Sequence, residues 1–351
     1  MGKKKRKKLI HLGSVLILFI SILTGIIYIN RKLVAIIARN IFAGTISLDT
    51  SEIWENGNSY EGVQYAEISN SQYLNLYVPY EKEPMPLFIL VHGGGFIYND
   101  CESRQAQFMY RYFRDQGYAC ASVNYRLSDE AGYPAAIEDV KAAVRYLRAN
   151  AEKYGYDGES FAIWGESAGG YLATMAAVTY EEYSSLPFMG ENLLNKPISG
   201  KVSALVNFYG VIDFNLITQD FKAANIPGWL RTLAYIPFRK DLRGYKSIED
   251  MWLRKPISQL TEEESKSLSP RYYINKNMSE ETDLKVLIHH GDADITVPYI
   301  QSERLADSLT YKLGAENVTY KLISGYKHGD DKFYTKEELG KIKVYLDQVF
   351  Y

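Results

Sequence analysis

Cysteine and histidine are both scarce in this 351-residue sequence, with two and five residues. Cys101 and Cys120 are too few for a disulfide framework, so we expect two small buried side chains with free thiols. A disulfide between them is the alternative if the protein is exported. The histidines and cysteines do not follow any metal-ligand spacing, so neither a metal nor another cofactor is predicted.

Acidic residues are absent from the first 40 positions, which contain nine of the 40 lysines and arginines. Residues 41–351 therefore carry 31 basic and 42 acidic residues, a net charge of −11. A body of this charge repels a phosphate backbone. The charge distribution argues against nucleic acid as a partner.

One long uncharged run follows the basic N-terminus. Residues 9–29 follow six lysines and arginines at positions 3–8. At about 1.5 Å per residue the run makes a helix about 30 Å long, which matches the hydrocarbon core of a bilayer. Fewer basic residues follow the run than precede it, which predicts a cytoplasmic N-terminus. We therefore expect a membrane anchor within residues 1–40 and an extracytoplasmic domain at 41–351; a cleaved secretory signal is the alternative.

Apolar runs alternate with helical patterns along most of the remaining sequence. Continuous apolar runs, typical of strands covered on both faces, occupy residues 87–91, 119–124, 160–164, 202–208 and 284–289, with a weaker run at 319–323. Helical periodicity occurs at 102–116, 134–154, 168–178, 299–313 and 335–349. Alternating residues at 62–68 and 72–78 predict a hairpin before them. Together these patterns predict an α/β fold with a mostly parallel central sheet and helices on both faces.

A long segment interrupts this alternation. About seventy residues separate the runs at 202–208 and 284–289, too many for a plain crossover. Short helical patterns within it lie at 214–222, 229–235, 248–253 and 261–267. The sequence therefore predicts a helical cap inserted at about residues 213–280.

The strongest local motif is Gly-Glu-Ser-Ala-Gly at residues 165–169, directly after a predicted strand and before a predicted helix. G-x-S-x-G in this setting is typical of a nucleophile elbow, a tight turn that exposes the serine hydroxyl. Flanking glycines allow the backbone to pass closely there. Ser167 is thus the predicted nucleophile, and an ordinary turn serine is the alternative.

A second motif, His-Gly-Gly-Gly-Phe at residues 92–96, ends an earlier apolar run. The backbone N–H groups of Gly93 and Gly94 are predicted to point at the oxyanion of a tetrahedral intermediate. Ala168 N–H, at the start of the helix after the nucleophile, is the predicted third donor. A flexible glycine turn is the alternative.

A serine hydroxyl needs a base and an orienting acid. His328 lies between the last apolar run and the final helix and is the predicted base, with a surface histidine as the alternative. Asp292 and Asp294 both follow the run at 284–289. Asp294 is the predicted acid, and Asp292 is expected to hydrogen-bond the turn.

Further residues near the predicted strand ends are candidates for the motif environment or the substrate pocket. They are His92, Gly95, Phe96, Tyr125 and Glu166. For Phe96, Tyr125 and the neighbouring Arg126, packing or a rim position is the alternative.

These motifs, in the chain order serine, aspartate, histidine, resemble the α/β-hydrolase family over roughly residues 62–350. The glycine motif resembles that of the hormone-sensitive-lipase-like esterases. The H-G-x-x-D-x-x-V-P pattern of residues 290–298 is more similar to bifunctional acetylxylan/feruloyl esterases and prolyl-oligopeptidase-like relatives. Two features depart from the former branch: Glu166 replaces its common aspartate, and its D-P-L-x-D acid motif is absent.

The resemblance implies an α/β-hydrolase fold and a serine carboxylic ester hydrolase of the esterase or lipase type. It assigns Ser167 as nucleophile, Asp294 as acid and His328 as base. The implied substrates are small or short-chain esters, with acetylated carbohydrates among the candidates. An exopeptidase or amidase on the same fold and a non-catalytic scaffold are the alternatives. No oligomeric state is predicted.

Overall fold

The computed structural model describes residues 54–81, 83–182, 186–191, 197–227, 229–230 and 242–351. The anchor predicted within residues 1–40 lies outside the described residues, as does most of the short helix predicted at 229–235. Within the described ranges, no helix is both long and apolar enough to cross a bilayer.

A single sheet holds the strands of the described part of the chain. Its strands are β1 (Gly57–Gln64), β2 (Tyr73–Pro79), β3 (Leu87–Val91), β4 (Ala119–Val123), β5 (Phe161–Glu166), β6 (Ala204–Phe208), β7 (Lys285–Gly291) and β8 (Val318–Ile323). They are ordered β1-β2-β4-β3-β5-β6-β7-β8. β2 pairs antiparallel with β1 and β4, and all other pairs are parallel. The predicted mostly parallel sheet is confirmed.

The helices follow the strands in the predicted alternation. They are α1 (Arg104–Arg114), α2 (Ala135–Ala149), α3 (Ala151–Tyr154), α4 (Ala168–Val178), α5 (Ile217–Ala223), α6 (Ile248–Leu253), α7 (Glu262–Ser267), α8 (Pro270–Asn277), α9 (Ile300–Leu313) and α10 (Lys336–Phe350). The single helix predicted at 134–154 is interrupted at Asn150 and forms α2 and α3.

The sheet has an apolar layer on each face. Every residue of β3 is buried; Leu87, Ile89 and Val91 belong to one core, whereas Phe88 and Leu90 belong to the other. This alternation follows from the two-residue period of a strand. The first core includes residues of α2, α4 and α9, and the second includes residues of α1 and α10. Burial on both faces explains the continuous apolar runs in the sequence.

The connection from β6 to β7 contains α5 to α8 and a 3₁₀ turn at Ile257–Gln259. Three of these helices lie near predicted positions, but α8 was not predicted. Only Pro270 and Ile274 of α8 are buried, so its sequence carries little apolar periodicity. In α6, Trp252 is 1% exposed, and Ile248 approaches the glycine motif: a Cβ atom at Gly95 would lie 3.1 Å from Ile248 Cδ1. The inserted segment thus packs directly on residues 92–96.

Both cysteines are buried free thiols, as expected from their scarcity. Cys120 lies in β4, and Ser122 of the same strand donates a hydrogen bond to the carbonyl of Cys101 at 2.6 Å. Burial raises the pKa of both thiols, that of Cys101 to about 12. Neither side chain therefore supplies a reactive thiolate at neutral pH.

Candidate active site

Ser167 occupies a sharp turn between β5 and α4. Its backbone has φ 53° and ψ −120°, outside the regions that L-residues ordinarily adopt. A Cβ atom at Gly165 would lie 2.1 Å from the carbonyl oxygen of Gly169, and one at Gly169 would lie 2.1 Å from that of Val91. Only glycine fits at these two positions, and the serine is held at the carboxyl end of β5.

His328 and Asp294 meet Ser167 from neighbouring strand ends. Asp294 follows β7 and His328 follows β8, and these strands are parallel neighbours. His328 Nε2 lies 2.9 Å from Ser167 Oγ, and His328 Nδ1 lies 2.7 Å from Asp294 Oδ2. The histidine is 6% exposed and the aspartate 1%. The three side chains form a continuous hydrogen-bonded chain.

The Asp294 carboxylate is held by its own turn. Its Oδ1 accepts the N–H groups of Thr296 and Val297 at 2.8 and 2.9 Å. His290 Nε2 lies 3.2 Å from Oδ2 and 3.0 Å from the carbonyl oxygen of Val297. The sequence identified His290 as the first residue of the H-G-x-x-D-x-x-V-P pattern, but no contact with Asp294 was predicted for it. This histidine helps fix the carboxylate facing His328.

Asp292 has a different role from Asp294. Its Oδ1 accepts the N–H of Gly325 at 2.6 Å, linking the turn after β7 to the turn after β8. This contact agrees with the structural part expected of Asp292.

The pKa values of His328 and Asp294 are shifted in opposite directions. Burial alone would raise the pKa of Asp294, but the adjacent His328 and the hydrogen bonds from His290 and His328 lower it below its usual range. Burial alone would lower the pKa of His328, but the Asp294 carboxylate more than offsets this, and the pKa is raised above 6.5. The imidazole is thereby a stronger proton acceptor for the Ser167 hydroxyl.

The backbone donors differ from the prediction at one position. Gly93 N–H donates to Glu166 Oε1 at 2.9 Å, so it is already satisfied by the protein and cannot serve the predicted oxyanion role in this arrangement. The N–H groups of Gly94, Gly95 and Ala168 donate to no acceptor in the described part of the chain. Within the glycine motif, the N–H groups without an acceptor are therefore those of Gly94 and Gly95, one residue later than predicted.

His92, the first residue of the glycine motif, packs against Tyr125. The His92 and Tyr125 rings stack with centroids 4.3 Å apart, and the Tyr125 hydroxyl donates to the carbonyl oxygen of His92 at 2.9 Å. Burial lowers the pKa of His92 to about 4, so the ring is neutral at physiological pH. Both side chains are fully buried. The structure thus contradicts a pocket role for Tyr125.

Phe96 and Arg126 also have packing roles. Phe96 is 3% exposed and stacks on Trp252 of α6, with ring centroids 4.3 Å apart. It therefore joins the glycine motif to the inserted segment. The Arg126 guanidinium binds the fully buried Asp139 carboxylate, with Nη2 and Oδ1 2.7 Å apart. The position of the Arg126 side chain is therefore explained by this ion pair, and no contact with a substrate is needed.

Glu166 is the centre of a buried polar network that the sequence did not predict. Besides Gly93 N–H, its carboxylate accepts a hydrogen bond from the Tyr209 hydroxyl. The Tyr209 and Tyr334 hydroxyl oxygens lie 2.5 Å apart, and the Tyr209 ring centroid is 4.8 Å from that of His328. Burial raises the pKa of Glu166, although His328, Gly93 N–H and Tyr209 partly counteract the effect. The network connects the residue before the nucleophile with the surroundings of the histidine.

Metal ligands are not gathered in this region. Across the described ranges, no group of three or more His, Cys, Asp or Glu side chains is arranged to hold a metal ion.

Comparisons with known proteins define the class to which this fold and site belong. The BD-FAE family model matches residues 74–309, more than half of the chain. The chain belongs to this family of α/β-hydrolases. The α/β-hydrolase fold expected from the motifs is confirmed.

Among curated proteins, the probable carboxylic ester hydrolase LipM of Mycobacterium tuberculosis is 24% identical over 272 residues, covering 77% of this chain and 56% of LipM. Esterase LipQ of the same organism is 29% identical over 247 residues, covering 70% of this chain and 50% of LipQ. The chain spans about half the length of these curated relatives.

Solved structures give the same fold. A truncated carbohydrate esterase from gut microbiota superposes with a TM-score of 0.65 at 26% identity, covering 84% of this chain and 98% of that chain. A bifunctional GH43-CE protein of Bacteroides eggerthii superposes with a TM-score of 0.64 at 27% identity, covering 83% of this chain and 38% of that chain.

Proposed function

We propose that this protein is a serine carboxylic ester hydrolase with Ser167 as nucleophile, His328 as base and Asp294 as the orienting acid. The hydrogen-bonded chain from Asp294 through His328 to Ser167 Oγ, with distances of 2.7 and 2.9 Å, carries the proposal. Such a chain activates a serine hydroxyl that is otherwise a poor nucleophile. The esterases among its relatives support the same chemistry.

In the acylation step, Ser167 Oγ attacks the ester carbonyl while His328 Nε2 accepts the serine proton. The negative oxygen of the tetrahedral intermediate is stabilised by N–H donors, for which Gly94, Gly95 and Ala168 are available. The intermediate then expels the alcohol, which receives the proton from His328. An acyl-serine remains.

In the deacylation step, water attacks the acyl-serine while His328 accepts a proton from it. Collapse of the second intermediate releases the carboxylic acid and returns the proton to Ser167 Oγ. Asp294 keeps Nδ1–H of His328 oriented throughout, so Nε2 always faces the reacting oxygen. The atoms and protons exchanged in both steps come only from this chain, the ester and water.

Short acyl groups, including acetyl groups on carbohydrates, are the proposed substrates. The Phe96–Trp252 stack and Ile248 of α6 cover one side of the glycine motif, and we expect them to restrict the space beside the reacting carbonyl. The carbohydrate esterase from gut microbiota, 26% identical, supports a sugar as the alcohol part.

An extracytoplasmic, membrane-anchored location is part of the same proposal. It rests on the uncharged run at residues 9–29 and the six basic residues before it. Secretion after cleavage of this segment is the alternative, and the mass of the N-terminal peptide of the mature protein distinguishes the two.

Hydrolysis of a p-nitrophenyl ester series, from acetate to decanoate, tests the reaction class. The full chain is compared with Ser167→Ala and with the matched control Ser128→Ala, which removes a buried hydroxyl without a hydrogen-bond partner. We expect turnover of the short esters, a loss of at least about 10⁴-fold in Ser167→Ala and little change in the control. Equal activity in all three proteins would refute the proposal, and turnover of p-nitroanilides alone would indicate an amidase.

A further inference from the structure

His290 is a buried histidine with no part in the proton transfers of the proposed ester hydrolysis. It is the first residue of the H-G-x-x-D-x-x-V-P pattern at residues 290–298, and its side chain is fully buried. The first, fifth and eighth positions of this pattern meet in the structure. His290 Nε2 lies 3.2 Å from Asp294 Oδ2 and 3.0 Å from the carbonyl oxygen of Val297. The pattern therefore places a second histidine beside the acid.

The surroundings of the His290 ring determine which nitrogen carries a proton. The Asp294 carboxylate and the Val297 carbonyl, which both face Nε2, can only accept hydrogen bonds. Nε2 must therefore carry a hydrogen. Nδ1 lies 2.7 Å from Ser302 Oγ, and a hydroxyl can donate to this nitrogen or accept from it. The Nε2–H group is thus present in either protonation state of the ring.

The Asp294 carboxylate is surrounded by four N–H groups. Its Oδ1 accepts those of Thr296 and Val297 at 2.8 and 2.9 Å. Its Oδ2 faces both histidines, with His328 Nδ1 at 2.7 Å and His290 Nε2 at 3.2 Å. Each donor reduces the negative charge that is left for the other. His290 and His328 therefore compete for the same oxygen atom.

Other titratable groups face the two rings from separate elements. They are Glu166 before α4, Tyr209 after β6 and Glu303 of α9. Glu166 raises the pKa of His328, and burial raises the pKa of Glu303, which His290 partly counteracts. The Tyr209 ring centroid lies 4.8 Å from that of His328 and 6.3 Å from that of His290. In the described structure, the group with an atom within 3.2 Å of both rings is Asp294, so the coupling between the histidines passes through its carboxylate.

We propose that His290 is a positioning residue of the proposed hydrolysis, whose Nε2–H holds Asp294 Oδ2 and weakens the attraction of this oxygen for the His328 proton. The inference rests on the proposed function and adds a residue outside the chain of Ser167, His328 and Asp294. Because its side chain is fully buried, His290 acts on the reaction only through Asp294 and His328. Without His290, Asp294 should hold the His328 proton more strongly, so His328 should lose that proton only at a higher pH.

A purely structural role for His290 predicts a different result. If the ring only filled space, its loss would let Asp294 move away from His328 or would leave the pair unchanged. Movement of the carboxylate away from the imidazole lowers the pKa of His328, since a nearby opposite charge is what raises it. The direction in which the His328 titration moves therefore separates the two roles.

NMR titration of the imidazoles tests the inference without any ester. The full chain is labelled with ¹⁵N in its five histidines, and His290→Leu is compared with the unmodified protein. We expect the midpoint of His328 to rise by about 0.5 to 1 pH unit, because one donor to the carboxylate is lost. His290→Gln keeps an N–H donor on a side chain of similar length, so its midpoint should stay close to that of the unmodified protein.

His289→Leu is the matched control, since it makes the same substitution at the adjacent residue. The His289 ring stacks on Phe208, with centroids 5.3 Å apart, and His289→Leu should leave the His328 midpoint unchanged. The acid limb of kcat/KM for p-nitrophenyl acetate should move with the midpoint in every variant. Thermal melting reports whether His290→Leu folds. If it does not, the ¹⁵N signals that disappear in His290→Gln identify His290 in the unmodified protein, and its Nε2 should carry a proton throughout the titration of His328.

Four results would each overturn the proposal. They are a lower or unchanged midpoint in folded His290→Leu, an equal rise in His290→Gln, an equal rise in His289→Leu, and a His290 Nε2 without a proton. The NMR titration does not depend on turnover. A protein that shows the expected rise but hydrolyses no ester would therefore refute the proposed function while supporting the contact of His290 with Asp294.

Discussion

Glu166 Oε1 accepts a hydrogen bond from the Gly93 N–H at 2.9 Å, which ties the residue before the nucleophile to the glycine motif. Both groups are buried, so the bond is protected from competition with water. It holds together the two segments that contain the N–H groups proposed as oxyanion donors. It also leaves the N–H groups of Gly94, Gly95 and Ala168 as the donors that we propose for the reacting oxygen.

Substitutions of Glu166 should separate its geometric role from its charge. Glu166→Gln keeps an oxygen that accepts Gly93 N–H, so we expect it to retain most of kcat. Glu166→Ala loses this acceptor, and we expect kcat to fall about 10²-fold because the oxyanion donors lose their alignment. Steady-state kinetics on p-nitrophenyl acetate distinguish the two. Equal losses in both variants would show that charge, and not the link to Gly93, is what matters.

The Tyr209 hydroxyl should influence His328 through Glu166. Its hydrogen bond lowers the pKa of Glu166, so Tyr209→Phe should raise that pKa and reduce the negative charge near the histidine. Because Glu166 raises the pKa of His328, we expect the acid limb of kcat/KM to move to lower pH. Glu166→Gln should move it in the same direction. Tyr345→Phe removes another buried hydroxyl, one without a partner, and should leave the profile unchanged. An unchanged profile in Tyr209→Phe would exclude this coupling.

The pH profile of the unmodified protein should reflect the raised pKa of His328. The histidine acts as a base only when neutral, so activity should be full above its pKa and fall as the pH decreases through it. Burial opposes this shift, but Asp294 raises the pKa above 6.5. We therefore expect half-maximal kcat/KM at a pH above 6.5. A midpoint clearly below this value would mean that burial outweighs the carboxylate.

Asp292 and Asp294 offer a matched pair for testing the acid. Asp294→Asn should reduce kcat about 10⁴-fold because an amide does not hold the imidazole in the required tautomer. Asp292→Asn should have a much smaller effect, since the one hydrogen bond of the Asp292 carboxylate in the described structure is to the Gly325 N–H of the adjacent turn. Single-turnover measurements on both variants give the comparison. A larger loss in Asp292→Asn would reverse the assignment.

The sequence predicted the side chains that meet at the site because each follows a strand of a parallel sheet. The carboxyl ends of β5, β7 and β8 lie along one edge, so Ser167, Asp294 and His328 come together from topology alone. Their motifs provided the positions, and the apolar runs provided the strands. Nothing about the rotamers of individual side chains was needed for this step.

The other features of the site depend on side-chain conformation and on contacts between residues that are far apart in the sequence. The donor at Gly93 was assigned incorrectly because the conformation of Glu166, 73 residues later, decides where that N–H points. Tyr209 and Tyr334 are 125 residues apart, and no local pattern connects them. Tyr125 follows a strand end, as a pocket residue would, but its hydroxyl binds the His92 carbonyl instead. Tertiary contacts of this kind are not encoded in periodicity.

The Phe96–Trp252 stack should limit the length of the acyl chain. The two rings are nearly parallel, with an interplanar angle of 9°, and Trp252 belongs to the inserted helix α6. Trp252→Leu keeps an apolar residue but removes most of the ring, so space should open beside residues 92–96. We expect the optimum of the p-nitrophenyl series to move to longer acyl chains, accompanied by a loss of stability of about 2–4 kcal/mol from the smaller buried side chain. Tyr272→Leu, at a 39% exposed ring of the same inserted segment, is the control and should not change the optimum. An unchanged optimum in a folded Trp252→Leu protein would place the acyl chain elsewhere.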